Sequence, residues 1–332
     1  MRAPGFWWAE KPGPLARLLA PIGHVYGAVT AARMGRSGIR ASLPVICIGN
    51  LTAGGAGKTP VTIALAALLR TGGEAPVILS RGYGGGLTGP VLVDPGRHDA
   101  SAVGDEPLLL ARHAPVVVAR DRIAGAGLAA RHGNVLLMDD GLQNPSLVKD
   151  AAFAVIDAAT GIGNGLAIPA GPLRAPLPAQ LPHVHALITV GRGAAHHRVV
   201  AAAGSRPVFA GDLVPDQSTA AALAGRRVLA FAGIGRPEKF FATLREIGAE
   251  VVDAVGFGDH QPYREADLAA LATRAEGRGA IPVTTEKDAA RLGPLTERVP
   301  GLVILPVSFV PPDGAALAAF LAQRIAAARQ TL

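Results

Sequence analysis

The sequence predicts an α/β protein, a parallel sheet covered by helices, with a second and smaller α/β unit behind it and an amphipathic helix in front. Three observations carry this. Residues 41–200 alternate short β-branched runs with Ala- and Leu-rich helical stretches, the pattern of a parallel sheet wound by crossover helices. The same alternation restarts near Arg226. Ahead of both, residues 1–40 set an apolar helical stripe among basic residues.

The front segment begins with Phe6-Trp7-Trp8, and Leu15, Leu18, Leu19, Ile22, Tyr26 and Val29 then fall on one helical face. Residues 1–40 carry Arg2, Lys11, Arg17, Arg33, Arg36 and Arg40 against one acid, Glu10, a net +5 out of the formal +7 of the whole chain. A basic, apolar helix is expected to lie on an anionic membrane surface, with the tryptophans at the interface. Arg17, Pro21, Gly23 and His24 interrupt what would otherwise have to be about 20 apolar residues to span a bilayer. They also break the apolar core that a signal peptide needs.

Strands are expected at 44–48, 76–79, 115–118, 135–138, 153–156 and 186–190, then at 228–232, 250–254, 281–284 and 303–309. Residues 161–182 are rich in Gly and Pro and read as a long functional loop. Pro207–Val214 and Leu302–Phe309 are expected to pair as a two-stranded connection. The domains would be 1–40, 41–205 and 206–332. Only 17% of the residues are charged and 4% aromatic, which is globular composition. The single cysteine, Cys47, sits in the apolar run Val45-Ile46-Cys47-Ile48 and is expected to be a buried structural thiol of a chain from a reducing compartment.

The chemistry starts at Gly49-Asn50-Leu51-Thr52-Ala53-Gly54-Gly55-Ala56-Gly57-Lys58-Thr59-Pro60, between an apolar strand and a helix. That is the setting of a P-loop, so the first unit is expected to be P-loop NTPase-like. Residues 52–59 would cradle phosphate: Gly54, Gly55 and Gly57 let backbone N–H groups close around oxygens, Thr52, Ala53 and Ala56 complete the turn, and Lys58 reaches the β- and γ-phosphates. Thr59 would hold Mg²⁺, and Pro60 suits a first helical turn. The strict pattern wants Gly where Thr52 stands. A neighbouring strand should end in an acid for the metal, and Val135-Leu136-Leu137-Met138 runs into Asp139-Asp140.

Among P-loop proteins, a GTPase would carry Asn-Lys-x-Asp, and Thr285-Glu286-Lys287-Asp288 has the wrong spacing. A membrane-cycling ATPase switch would carry a signature Lys just before the glycines, where Thr52-Ala53 stand; it is the alternative reading. A Rossmann dehydrogenase fits worst, because Gly233-Ile234-Gly235 never reaches its third glycine. A small-molecule kinase remains. It needs an acid or base at the acceptor hydroxyl, and Gly104-Asp105-Glu106-Pro107 and Asp259-His260 supply candidates. His183, His185, His196 and His197 lack partners at metal-ligand spacing and read as loop residues.

Taken together these motifs resemble the tetraacyldisaccharide 4′-kinase family over nearly the whole chain. The matching runs are Gly49–Thr52 with Gly57–Pro60, Ser80-Arg81-Gly82-Tyr83-Gly84, Val103–Pro107, Asp139-Asp140-Gly141-Leu142-Gln143, Gly171-Pro172-Leu173-Arg174, Phe231–Gly235, Phe257–Tyr263 and Thr285–Asp288. The family tolerates Ser or Thr at position 52. The resemblance implies an ATP- and Mg²⁺-dependent enzyme bound peripherally to the cytoplasmic face of the bacterial inner membrane. Its acceptor would be the 4′-hydroxyl of an acylated disaccharide 1-phosphate, with neither nucleic acid nor a protein partner. It also implies Asp105 as base supported by His260, Lys58 at the phosphates, and Asp139 and Asp140 at the metal, without saying which of the two touches it. Arg81, Tyr83, Glu106, Gln143 and Arg174 are expected near the substrate. Two positions depart from the family: Leu142 stands where Phe is usual, and Ala175 where Glu is frequent.

Overall fold

The computed structural model describes residues 3–332; Arg2, counted above in the N-terminal charge, lies outside them. The chain builds a large sheet from β1 (Val45–Asn50), β2 (Pro76–Ser80), β3 (Val91–Leu92), β4 (Val116–Val118), β5 (Val135–Asp139), β6 (Ala151–Asp157), β7 (Ala186–Val190) and β8 (Val208–Pro215). A smaller sheet follows from β9 (Arg227–Ala232), β10 (Glu250–Gly256), β11 (Ile281–Thr285) and β12 (Val303–Leu305), and β13 (Val307–Val310) returns to the first. The orders are β13-β8-β7-β6-β1-β5-β2-β4-β3 and β10-β9-β11-β12. The large sheet is parallel except at its two edges, β3 and β13. All pairings in the small sheet are parallel.

Strand β1 shows why both faces are covered. Every residue from Val45 to Asn50 is buried. Ile46 and Ile48 face one core with the helix Lys58–Thr71, while Val45 and Cys47 face the other. A strand buried on both sides reads as one apolar run instead of an alternation. Burial pushes the Cys47 thiol up to about 11, as an inert structural cysteine requires.

The C-terminal end corrects the expected division at residue 205. Pro306 splits the predicted strand 303–309 into β12 and β13, which belong to different sheets. β8 and β13 do pair antiparallel, Val307 opposite Pro215 and Val310 opposite Asp212. Yet β8 is also parallel to β7, so the pair forms an edge of the large sheet. Phe309 and then Leu317, Leu321 and Ile325 of the last helix (Gly314–Arg329) complete a core of that sheet. The smaller unit is an excursion between β8 and β13.

The N-terminal helix runs from Pro14 to Met34 with Pro21 inside it. Its inner face is Ala16, Gly23, Gly27, Thr30 and Met34. A Cβ at Gly23 would lie 2.7 Å from the carbonyl oxygen of Ala167, so the glycine that breaks the apolar run is what lets the helix dock. Leu15, Leu18, Ile22, Val25, Tyr26 and Val29 remain exposed, Leu18 at 75%. No helix among the described residues is long and apolar enough to cross a membrane. The tryptophans behave differently from the expectation. Trp7 Nε1 donates to the carbonyl of Pro169 at 2.9 Å, and the Trp8 ring lies against Arg236 and beside Gly54. An indole N–H with a protein acceptor so close turns inward.

Candidate active site

The Gly-rich turn between β1 and the helix Lys58–Thr71 has the strand–loop–helix form of a P-loop, with Gly57 at φ +82° before the first helical residue. The long loop 161–182 braces it. The amide of Ala53 donates to Pro172 O at 2.7 Å and that of Arg174 to Leu51 O at 2.9 Å. Lys58 Nζ stands 3.6 Å from Asp140 Oδ1.

Asp139 and Asp140 leave the end of β5 in opposite circumstances. Asp140, at φ +50°, is clamped by Arg174 through two bonds of 2.9 and 3.0 Å. Burial there is overcome by the charges of Lys58 and Arg174, which hold the carboxyl well below its usual range. Asp139 is 3% exposed and has no such clamp. Burial first, then the negative charge of Glu106, push its carboxyl up to about 7. Lys58 and Arg122 offset this charge only in part, and a divalent cation would relieve it further; the Asp139 carboxylate and the Thr59 hydroxyl have the oxygen chemistry that would hold Mg²⁺. Among the described residues no cluster of three or more His, Cys, Asp or Glu forms a closed metal cage.

Asp105 and His260, 155 residues apart, meet across the two units: His260 Nδ1 is 3.0 Å from Asp105 Oδ1. Gly104 delivers Asp105 to the start of the helix Asp105–Ala111 at φ +93°, where a Cβ would strike the carbonyl of Tyr83 at 2.6 Å. The motif around Tyr83 therefore shapes the turn that aims Asp105. His260 is itself at φ +57°, a backbone state few non-glycine residues adopt. Arg291 donates to Asp105 Oδ2 from Nε at 2.9 Å and from Nη2 at 2.6 Å. Burial alone would raise the Asp105 carboxyl; the hydrogen bond with His260 and the charges of Lys287 and Arg291 outweigh it and hold the group well below the usual range. The pair opens onto a cleft of about 500 Å³ lined by Tyr83, His98, Arg112 and Arg291 among others.

Glu106 joins the two halves of the site. It accepts from Lys287 Nζ at 3.0 Å. Against the cost of burial, Lys287 and then Lys58 keep it ionised, and its charge in turn acts on Asp139.

The residues expected to meet substrate divide. Arg81 is exposed, and Tyr83, 67% exposed, sets its ring edge-on to His260 at 5.0 Å. Gln143, by contrast, is buried and spends its amide on Asn50 O and Gln180 Oε1, both at 2.8 Å. Arg174 is likewise committed, to Asp140 and to Thr52 O. Both brace the P-loop through these contacts. Glu106 is committed to Lys287.

The sequence reading assigned no role to Lys287 or Asp288, although both stand in a run that matches the family, and it missed Arg291. Lys287, Asp288 and Arg291 lie on the helix Glu286–Leu292, and the i, i+4 spacing of Lys287 and Arg291 was the available signal. Asp288, fully buried, accepts from Gly233 N, Tyr263 Oη, Thr285 Oγ1 and Arg291. The run that failed as a guanine reader is thus a hub that fixes Arg291 behind Asp105.

A P-loop with a paired acid beside it, linked through Glu106 to an Asp–His pair that borders an open cleft, defines a P-loop nucleotide-binding protein equipped to activate an acceptor. The sequence profile of the tetraacyldisaccharide-1-P 4′-kinase family matches residues 15–326. A tetraacyldisaccharide 4′-kinase from Methylobacterium nodulans is 58% identical over 330 residues, 97% of this chain and 96% of that one. One from Rhodopseudomonas palustris is 54% identical over 333 residues, covering 99% and 98%. The crystal structure of LpxK from Aquifex aeolicus in complex with ATP superposes with a TM-score of 0.70 at 25% identity, covering 94% of this chain and 99% of that one. The chain belongs to the tetraacyldisaccharide-1-P 4′-kinase family.

Proposed function

We propose that this chain transfers the γ-phosphate of ATP to the 4′-hydroxyl of a tetraacyldisaccharide 1-phosphate, a step of lipid A synthesis. The observation that carries the reading is the Asp105–His260 pair, joined through Glu106 to Lys58 and Asp139 and open to a cleft on its other side. A nucleotide switch without an acceptor has no use for it.

Lys58 and the turn 52–59 hold the triphosphate, and Thr59 and Asp139 hold Mg²⁺, which neutralises charge on the phosphates when bound. Asp140 serves through its clamp with Arg174, keeping the turn and Lys58 in place. Asp105 accepts the hydroxyl proton. Its depressed pKa makes it a weak base that is always ionised. This is tolerable because phosphoryl transfer is largely dissociative, so positioning matters more than basicity. His260 orients the carboxylate and shares the proton.

The acyl chains of such a substrate keep it in the bilayer, since each buried CH₂ is worth about 0.8 kcal/mol. The exposed face of the helix Pro14–Met34 is the surface that would meet the cytoplasmic side of the inner membrane, with Arg81 and Tyr83 beside the head group. Incubating purified protein in detergent with γ-labelled ATP and the disaccharide 1-phosphate tests the reading. Label is expected in the lipid; lipid-independent ATP hydrolysis with no labelled lipid would refute it.

A further inference from the structure

The smaller unit touches the P-loop at the turn Gly233-Ile234-Gly235-Arg236 between β9 and the helix Pro237–Glu246. A Cβ on Gly235 would stand 3.1 Å from the amide nitrogen of Gly55, so this turn rests on the phosphate cradle itself. Arg236 reaches over it. Its Nη2 donates to Gly55 O at 2.9 Å and pairs with the carboxylate of Asp157, and its Nη1 donates to Thr160 Oγ1 at 3.1 Å. The Trp8 ring backs the guanidinium at 5.7 Å. A cavity of about 260 Å³ lies alongside, bordered by Trp8, Gly54, Gly55, Gly235, Arg236 and Glu238.

Two features exceed what a bracket between units needs. Asp157, 5% exposed at the end of β6, is paired with Lys239 as well as Arg236, so one buried carboxylate is shared between two cations beside the cradle, and Glu238 borders the same cavity. The guanidinium has five N–H donors, and those contacts occupy three. Nε and one Nη1 hydrogen are left over, on a planar fork fixed to the loop whose amides wrap the β- and γ-phosphates.

We propose that Arg236 is a cis-acting arginine for phosphoryl transfer, held over the P-loop by Asp157 and Thr160 and donating its remaining N–H groups to the phosphate tail of ATP. This rests on the kinase reading. Charge that develops on the transferring group would then meet a cation already in place, supplied by the smaller unit.

The test uses the full chain in detergent with wild type, Arg236→Lys and Arg236→Ala. It measures equilibrium ATP binding, thermal unfolding and single-turnover transfer to the disaccharide lipid, each with and without added guanidinium chloride in the low millimolar range. Arg236→Ala is expected to slow transfer by about 10²–10³-fold, the effect of removing one transition-state donor, while ATP affinity changes less than about tenfold. Added guanidinium should restore part of the lost rate in Arg236→Ala and leave wild type unaffected. Arg236→Lys should recover only a minor part, because an ammonium cannot hold Gly55, Asp157 and phosphate with one planar group. Transfer by Arg236→Ala within threefold of wild type overturns the proposal. So does a loss that follows ATP affinity and unfolding temperature and ignores guanidinium, which marks a bracket only. Wild type that never labels the lipid takes the kinase reading down and this inference with it; an active wild type with an indifferent Arg236→Ala removes this inference alone.

Discussion

Replacing Asp105 with Asn tests the proton acceptor and the junction between the units at once. The amide keeps the shape, and its oxygen still accepts from His260 and from the Glu106 amide, contacts now at 3.0 and 2.8 Å. Its NH₂ then faces the two Arg291 donors that bind Oδ2, donor against donor. Breaking a buried ion pair costs about 3–5 kcal/mol. Arg291 retains Asp288 at 3.2 Å, so about 3 kcal/mol is expected. The sign with pH follows from the depressed carboxyl of Asp105. Its contribution is fully present above the unfolded-state value of about 3.9 and is lost as pH falls through the lower folded-state value. Urea unfolding followed by circular dichroism should therefore show a full deficit at pH 7 that narrows below about pH 4. Separately, transfer to lipid should slow by about 10²–10⁴-fold, a barrier increase of about 3–5 kcal/mol, with ATP affinity within a few-fold. His260→Ala should lose as much or less, and the double variant much less than the product of the two losses. Undiminished single-turnover transfer in Asp105→Asn would remove the base assignment. A stability equal to wild type at pH 7 would remove the clamp, and independent losses would dissolve the pair.

Lys58→Ala should abolish transfer almost completely, since it removes the cation at the β- and γ-phosphates; near-normal turnover with labelled ATP would end the P-loop assignment. Arg174→Ala should free Asp140 and slacken the turn at Thr52, raising the Kd for ATP–Mg²⁺ by about tenfold in equilibrium binding, the worth of a charged hydrogen bond. If Arg174 were a head-group ligand instead, the lipid KM would rise and ATP binding would not move. Converting Leu15, Leu18, Ile22 and Val29 to Ser should lower the fraction bound to anionic vesicles by at least about tenfold and leave ATP binding intact, because more than half of each of these residues faces away from the protein. Deleting the helix would be a poorer experiment. Gly23 and Gly27 dock it on Ala167 and Pro176, in the loop that braces the P-loop, so a deletion would disturb the nucleotide site as well. Unchanged vesicle binding by the Ser variant would refute the interfacial face.

Local signals determined what local chemistry dictates. The apolar run 45–48 was legible as a strand, and Gly57-Lys58-Thr59 behind it as a turn into a helix, because each depends on neighbours within a few residues. Eight short motifs in order were enough to indicate the family. Their partnerships were not legible. Asp139 and Asp140 are adjacent and identical in sequence, yet one is clamped by Arg174 from 34 residues away, while the other is buried beside Glu106 with its charge only partly offset by Lys58 and Arg122. Gln143 and Arg174 were expected near the substrate from the family resemblance, but their side chains make tertiary contacts with the P-loop. The tryptophans were drawn inward in the same way, by a carbonyl and a guanidinium that no local pattern announces. Pro306 sends the chain from one sheet to the other, which hydrophobic periodicity cannot register because both strands are apolar. Sequence fixes which groups are available. Only the fold decides which charges stand within a few ångströms, and electrostatics at that range settles which carboxylate is free to act.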